Sequence, residues 1–345
     1  MPQASSLLLV VLLALAGCGS APDVVVYAAL DGEFSQPILD DYERRHGLDV
    51  AEQFDTEAFK TVGLYRRIVA EASRPRCDLF WNNEIITTLR LERLGLLSAY
   101  RPPRAKMFPA RYRSRQGYWH GFAARARVLI VNTKHLPDED EWPKSILDLP
   151  QPRWKGRLAM AKPLFGTTFT HACCLFAHWG DERAERFYRD LKRNEVRIVP
   201  GNKDVAERVA SGQFTLGLTD TDDAMIYQRQ GHPVAIVYLD RDAATDDLGT
   251  LFIPNTVAII KGGPNPQAAR RLVDYLLTAE VERRLAQGES AQIPLARDVT
   301  VADLPVATPG VGGPNTAKPL PVDFAAAAEK WDVARAFLRD TFGGE

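Results

Sequence analysis

The chain has 345 residues, 46% of them hydrophobic and 25% charged, which is the composition of a globular protein with room for about two domains. Lys and Arg number 43 against 44 Asp and Glu, a formal net charge of -1. That balance offers no overall electrostatic footprint for nucleic acid or for an anionic membrane surface, and it disfavours nucleic-acid binding.

In chain order, Leu7 to Leu15 form an apolar run too short to cross a bilayer as a helix, and small residues follow it at once. This is the pattern of an export signal over residues 1–17. Leu15-Ala16-Gly17-Cys18 resembles the lipobox of bacterial lipoproteins, although the preceding MPQASS carries no Lys or Arg. The resemblance implies lipidation of Cys18, a linker over 18–22, and a chain exported to the periplasm or cell envelope and anchored to a membrane. Cys77, Cys173 and Cys174 remain, an odd number that argues against a disulfide framework, so free buried thiols are expected.

Beyond the linker, strand and helix alternate. VVVYAAL reads as a strand, FSQPILDDYERRHG as a helix stopped by Gly47, and LDVAEQF as a strand. EAFKTVGLYRRIVAEA is the next helix, CDLFW a third strand, and ITTLRLERLG a helix closed by Gly95. A Pro- and Arg-rich connection from Tyr100 to Arg115 breaks the rhythm, and YWHGFAA and RVLIVNT follow as two strands. A second set runs through GRLAMA, a helix from about Thr168 to Trp179, the helix ERAERFYRDLKRN, VRIVP, the helix KDVAERVASG, and FTLGL. VAIVYL, TLFIP and TVAIIKG are further strands, followed by one helix over NPQAARRLVDYLLTAEVERRLAQG. Pro305 to Pro321 reads as a flexible strap, and FAAAAEKWDVARAFLRDTF as a terminal amphipathic helix. The alternation implies mainly parallel sheets covered by helices.

Ligands of open parallel sheets sit beyond the carboxyl ends of the strands. Those positions hold Asp31 and Glu33, then Asn82, Asn83 and Glu84, then Gly166, Thr167 and Thr168, then Asn202 and Lys203, and finally Asp220, Asp222 and Asp223. Helix capping explains any one junction, with Asp220 or Thr221 as N-cap and two acids in the first turn. It does not explain six acids at the strand ends, which point to a site for positive charge. The Gly166-Thr167-Thr168 corner, at a helix start, suits an anion such as phosphate, phosphonate, carbonate or carboxylate. Two readings compete with ligand capture. An enzyme could use His171, Cys174 and His178, which share a face if that segment is helical. A lipid-anchored interaction protein would need no small ligand at all.

The stretches VVVYAALDGEF, DLFWNNEI, GFAARARVLIVNT, PLFGTTFTHA and LGLTDTDDA resemble the periplasmic solute-binding proteins of ATP-driven importers, in the branch that includes the ferric-ion-binding proteins. The resemblance implies an α/β fold, a two-lobed clamshell of type II kind with two parallel-rich sheets joined by crossover hinge strands. Lobe 1 is expected over 23–124 plus about 251–304, lobe 2 over 125–250, the strap over 305–321 and the terminal helix over 322–345. By the same resemblance Asp31, Glu84, Asp222 and Asp223 are the candidate metal ligands, with the anion at Gly166, Thr167 and Thr168 and Asn202 or Lys203 nearby. Asp222 and Asp223 stand where ferric-binding relatives carry two tyrosines, so the phenolates are lost and an oxygen-rich cage is kept. Two cargoes fit: ferric iron or another hard metal ion with a synergistic anion, and a small organic molecule with an amine and a phosphate or phosphonate. No catalytic cofactor is implied. The partners are an ABC permease with its ATPase, and the chain is expected to be monomeric.

Overall fold

Apolar runs without alternation mark strands covered on both faces, and the first of them, Val24–Ala28 (β1), is buried at all but one position. A computed structural model describes residues 21–55, 62–241, 248–289, 291–299 and 317–343. The export signal, Cys18 and most of the strap lie outside these residues. After β1 come α1 (Gly32–His46), β2 (Val50–Phe54), α2 (Val62–Ala70), β3 (Leu79–Asn82), α3 (Ile86–Arg93) and β4 (Leu97–Ser98). The next elements are β5 (His120–Asn132), β6 (Leu158–Ala161), α4 (Gly166–Trp179), α5 (Asp181–Arg193), β7 (Arg197–Val199), α6 (Asn202–Ala210) and β8 (Leu216–Asp220). Then follow α7 (Thr221–Arg229), β9 (Val234–Val237), β10 (Phe252–Ile260), α8 (Pro266–Leu276), α9 (Ala279–Gln287), α10 (Phe324–Glu329) and α11 (Trp331–Phe342).

The strand order repeats. In one lobe β2, β1 and β3 are parallel neighbours and β10 runs antiparallel beside β3, with β4 beyond it. In the other, β7, β6 and β8 are parallel neighbours and β5 runs antiparallel beside β8, with β9 beyond it. The antiparallel strand of each lobe arrives from the other, and β5 and β10 pair with one another from Phe252↔Ala126 to Val257↔His120. A two-lobed α/β clamshell of the type II kind results, with β5 and β10 as the hinge.

Two expected breaks are absent, because YWHGFAA and RVLIVNT form one strand, β5, as do TLFIP and TVAIIKG, β10. The polar residues that interrupt their apolar pattern do not end the strands. Ala123, at φ 41, and a register shift between Ile253 and Asn255 absorb the bend inside continuous strands. Conversely, the helix expected over 265–288 is two, since the Thr278 hydroxyl accepts from Val281 N at 3.3 Å and caps a fresh helix. The terminal helix also breaks, at Lys330. The end of the strap is docked: Thr250 N donates to Lys318 O at 2.8 Å, and Leu320 N to Thr250 O at 2.9 Å.

One apolar cluster is common to both lobes. It holds Phe80 and Ile86 from the first, Phe169 and Leu175 from the second, and Trp331 and Leu338 from the terminal helices. The Trp331 ring lies 4.7 Å from Phe169 and 6.1 Å from Tyr65, so α11 touches both lobes.

Candidate functional site

A cavity of about 660 Å³ lies between the lobes at the carboxyl ends of the strands, a size suited to a small molecule. Lobe 1 lines it with Leu30, Asp31 and Asn83, and the hinge strand adds Arg125. Lobe 2 contributes most of the wall: Lys162, Phe165 and Gly166 to Thr168, then Pro200 to Lys203, then Asp220, Asp222 and Asp223.

The acids do not stand alone. Asp220, buried at the end of β8, is 2.8 Å from Arg127 Nη1 of β5 and accepts from Asn202 Nδ2 at 3.0 Å and from the Thr167 hydroxyl. Thr168 Oγ1 and Arg127 Nη1 both donate to Asn202 Oδ1, at 3.1 and 3.0 Å. This buried network locks α4, α6 and β8 together, and each of its polar groups would be costly to leave unpaired. Asp220 occupies the N-cap position of α7 without a side-chain cap bond, so capping does not account for it. Thr221 does not cap either: its hydroxyl accepts from Ala126 N at 3.0 Å.

Asp222 lies 2.9 Å from Arg125 Nε, while Arg125 Nη1 donates to Asn83 O of lobe 1 at 2.6 Å and Nη2 to Asn255 Oδ1 at 3.3 Å. Arg125 thus touches both lobes and the hinge. Burial pushes the Asp222 carboxyl up to about 6; Arg125 opposes that rise, and Asp220 and Asp31 add to it. Oxygens of Asp220, Asp222 and Asp223 all lie within 4.8 Å of one another, a spacing at which they could hold a metal ion.

Beside the acids, the starts of α4 and α6 have features that suit an anion. Gly166 opens α4 at φ +61, a conformation side chains rarely adopt, and nothing lies within 4 Å of where its Cβ would be. Neither α4 nor α6 has a side-chain cap at its N-terminus, and both helix starts line the cavity beside Lys162 and Lys203. Their amides and dipoles favour negative charge there.

Ten of the residues singled out in the sequence line this cavity: Asp31, Asn83, Gly166, Thr167, Thr168, Asn202, Lys203, Asp220, Asp222 and Asp223. Glu33, Asn82 and Glu84 do not. Glu33 faces Lys203 at 3.4 Å with half of its side chain exposed. Glu84 is buried and accepts from Ile86 N, from Thr87 N at 2.9 Å, from the Thr87 hydroxyl, from Asn82 Nδ2 at 3.0 Å and from Thr170 Oγ1 of α4 at 2.8 Å. Its carboxylate starts α3 and ties the lobes together beneath the cavity. Besides the expected Lys203, the hinge and lobe 2 supply the cations Arg125 and Lys162 to the cavity beside the acids. Arg125, Arg127 and Lys162 were missed. The signal was present in GFAARARVLIVNT, where two arginines at a spacing of two sit on one side of an otherwise apolar strand and need buried partners.

The catalytic alternative fails on burial. Cys173 and Cys174 are free and buried on α4, and burial raises both thiols, so neither is a thiolate. Burial, with Arg127 adding to it, holds His171 well below the usual imidazole value and therefore neutral.

A hinged pair of lobes around a two-signed cavity defines a ligand-capturing clamshell rather than an enzyme. The chain belongs to the bacterial extracellular solute-binding protein family, whose pattern matches residues 24–288, and its place is thus outside the cytoplasm. It is 24% identical over 268 residues to the major ferric iron-binding protein of Neisseria meningitidis, covering 76% of this chain and 78% of that one. Iron-bound HitA from Pseudomonas aeruginosa superposes with a TM-score of 0.79 at 22% identity, over 92% of this chain and 98% of that one. AfuA from Actinobacillus pleuropneumoniae, with fructose-6-phosphate bound, superposes with a TM-score of 0.77 at 19% identity, over 93% and 98%.

Proposed function

We propose that the chain captures a hard metal cation, with ferric iron as the leading candidate, together with a small oxyanion, and hands both to an ABC permease. The observation that carries this reading is that one 660 Å³ cavity is lined both by carboxylates and by uncapped helix starts with lysines. Asp31, Asp222 and Asp223 face the cation, with carboxylate oxygens as hard donors. The uncapped start of α4, with Gly166 to Thr168 and Lys162, receives the anion. The ferric-binding names among the relatives support the cation assignment. Lipidation at Cys18 keeps the protein beside the permease.

A second reading is favoured by Arg125, which already supplies Asp222 with a positive partner, and by the volume, which far exceeds a bare ion. In it, one organic molecule carries an amine to the aspartates and a phosphate or phosphonate to the α4 corner. The test is native mass spectrometry of the protein purified from its own host, followed by thermal shifts with ferric citrate, divalent metals, aminophosphonates and sugar phosphates. The metal reading expects stabilisation by ferric citrate that chelator removes and that Asp222→Ala with Asp223→Ala abolishes. Stabilisation by an aminophosphonate alone, insensitive to chelator, would establish the second reading instead.

A further inference from the structure

Arg125 stands inside the hinge strand β5, lines the cavity and is 2% exposed. Its guanidinium meets both lobes and the hinge: Nη1 donates to Asn83 O of lobe 1 at 2.6 Å, Nη2 to Asn255 Oδ1 of β10 at 3.3 Å, and Nε lies 2.9 Å from Asp222 Oδ2 of lobe 2. Asn255 is itself fixed, since its Nδ2 donates to Ala123 O and to Gln292 Oε1, the latter at 2.8 Å, and Asn83, Asn255 and Gln292 are all buried. The guanidinium is therefore held at the cavity from lobe 1 and from the hinge. It cannot swing away without leaving buried polar groups unpaired.

This fixed charge has an unfilled donor. Nε is close to Asp222, yet among the described residues its N–H has no hydrogen-bond acceptor, so the pair is joined by charge alone. Burial opposes the charge on the guanidinium, but Asp222, Asp220, Asp223 and Asp31 more than offset it and hold the group above its usual value. The cavity is also close to balanced in charge. Among the described residues that line it, four aspartates are matched by Arg125, Lys162 and Lys203, with Arg127 paired to Asp220.

A bare cation held by Asp222 and Asp223 would thus meet a positive group that cannot withdraw, and would add its charge to a site already balanced. We infer that Arg125 makes capture of a cation conditional on a partner anion, which takes the unfilled N–H of the guanidinium and cancels the excess charge. Arg125 is on this account a specificity determinant: the cargo enters as a near-neutral unit, and a lone ion is rejected. The inference rests on the proposed cation at Asp222 and Asp223 and states which form of it the site accepts.

The test uses the full purified chain, stripped of bound ions by chelator and dialysis. Terbium(III) is the hard trivalent probe and sulfate the oxyanion, with ionic strength matched by sodium chloride; terbium luminescence and calorimetry read the affinity. Wild type is expected to bind terbium about tenfold or more tightly with sulfate than without it. Arg125→Met should bind terbium alone about tenfold or more tightly than wild type does, and sulfate should then add less than about threefold. Structural damage from loss of a buried side chain would not raise affinity. Arg125→Lys keeps the charge and should keep the sulfate dependence, while Arg125→Gln, neutral but still a donor, should repeat the methionine result and replaces it if that variant does not fold. Equal terbium binding with and without sulfate in wild type overturns the inference alone. So does a folded Arg125→Met or Arg125→Gln chain that binds bare terbium no better than wild type. Terbium bound by none of these chains overturns the cation reading, and this inference with it.

Discussion

The two lobes share one strand order but use their strand ends differently. In lobe 2 the polar turns after β6, β7 and β8 all open on the cavity, with Gly166 to Thr168, Asn202, Lys203 and the three aspartates together. Among the described residues of lobe 1 only Asp31, Asn83 and the apolar Leu30 reach it, while Asn82 and Glu84 are consumed by the start of α3 and by Thr170 across the interface. A repeated topology thus fixes where a ligand can lie, not which copy holds it. Lobe 2 reads as the holding half and lobe 1 as the half that closes.

The largest effect should come from the buried network of lobe 2. Arg127→Ala would leave Asp220 as an unpaired buried charge and is expected to cost about 3–5 kcal/mol of stability. Adding Asp220→Asn should restore much of the loss, and urea denaturation of the two variants measures both. A single-variant loss below about 1 kcal/mol would mean that Asp220 is solvated in the free protein. In lobe 1, Glu84→Ala strips acceptors from two backbone amides, two threonine hydroxyls and Asn82, and should cost about 4 kcal/mol. Should Glu84→Ala instead leave stability intact and abolish ligand binding, both lobes hold the ligand and the asymmetry fails.

Much of this was legible in the sequence, and the failures have a common cause. The turn positions of Asp31, Asn83, Thr168 and Asp223 followed from apolar runs ending in polar residues, because the rule about strand ends depends only on topology. What composition could not convey was pairing between distant strands. Arg125 and Arg127 sit in the middle of β5, inside an apolar run, and only the β5↔β8 register brings Arg127 opposite Asp220. Glu84 shows the converse: a carboxylate in the right turn can face inward, and its direction is set by Thr87, Thr170 and the α3 amides rather than by its place in the chain.

A smaller and pH-dependent effect belongs to Asp222. Burial raises its carboxyl in the folded chain from 3.8 to about 6, so the folded state binds that proton more tightly than the unfolded one. This group's contribution to stability therefore falls as pH rises between about 4 and 6, by at most about 3 kcal/mol. Asp222→Asn should flatten the pH dependence of the melting temperature across that window. Cation binding runs the other way, weakening as pH drops below about 6 and the carboxylate is neutralised. A pH profile unchanged by Asp222→Asn would mean that the holding lobe presents Asp222 to water instead of burying it.

The smallest effect should be at the rim, where Lys203 of lobe 2 approaches Glu33 of lobe 1 at 3.4 Å with both side chains about half exposed. Exposed pairs of this kind are worth less than about 1 kcal/mol and are screened by salt. Lys203→Met is accordingly expected to shift stability by no more than about 0.5 kcal/mol in urea denaturation. Because Lys203 also lines the cavity, its effect on ligand affinity separates two roles. A change of less than about threefold, equal in Glu33→Gln, marks the pair as a weak rim contact favouring closure. A far larger loss in Lys203→Met than in Glu33→Gln would make Lys203 a direct anion ligand, sharpening the division between a lobe that holds and a lobe that closes.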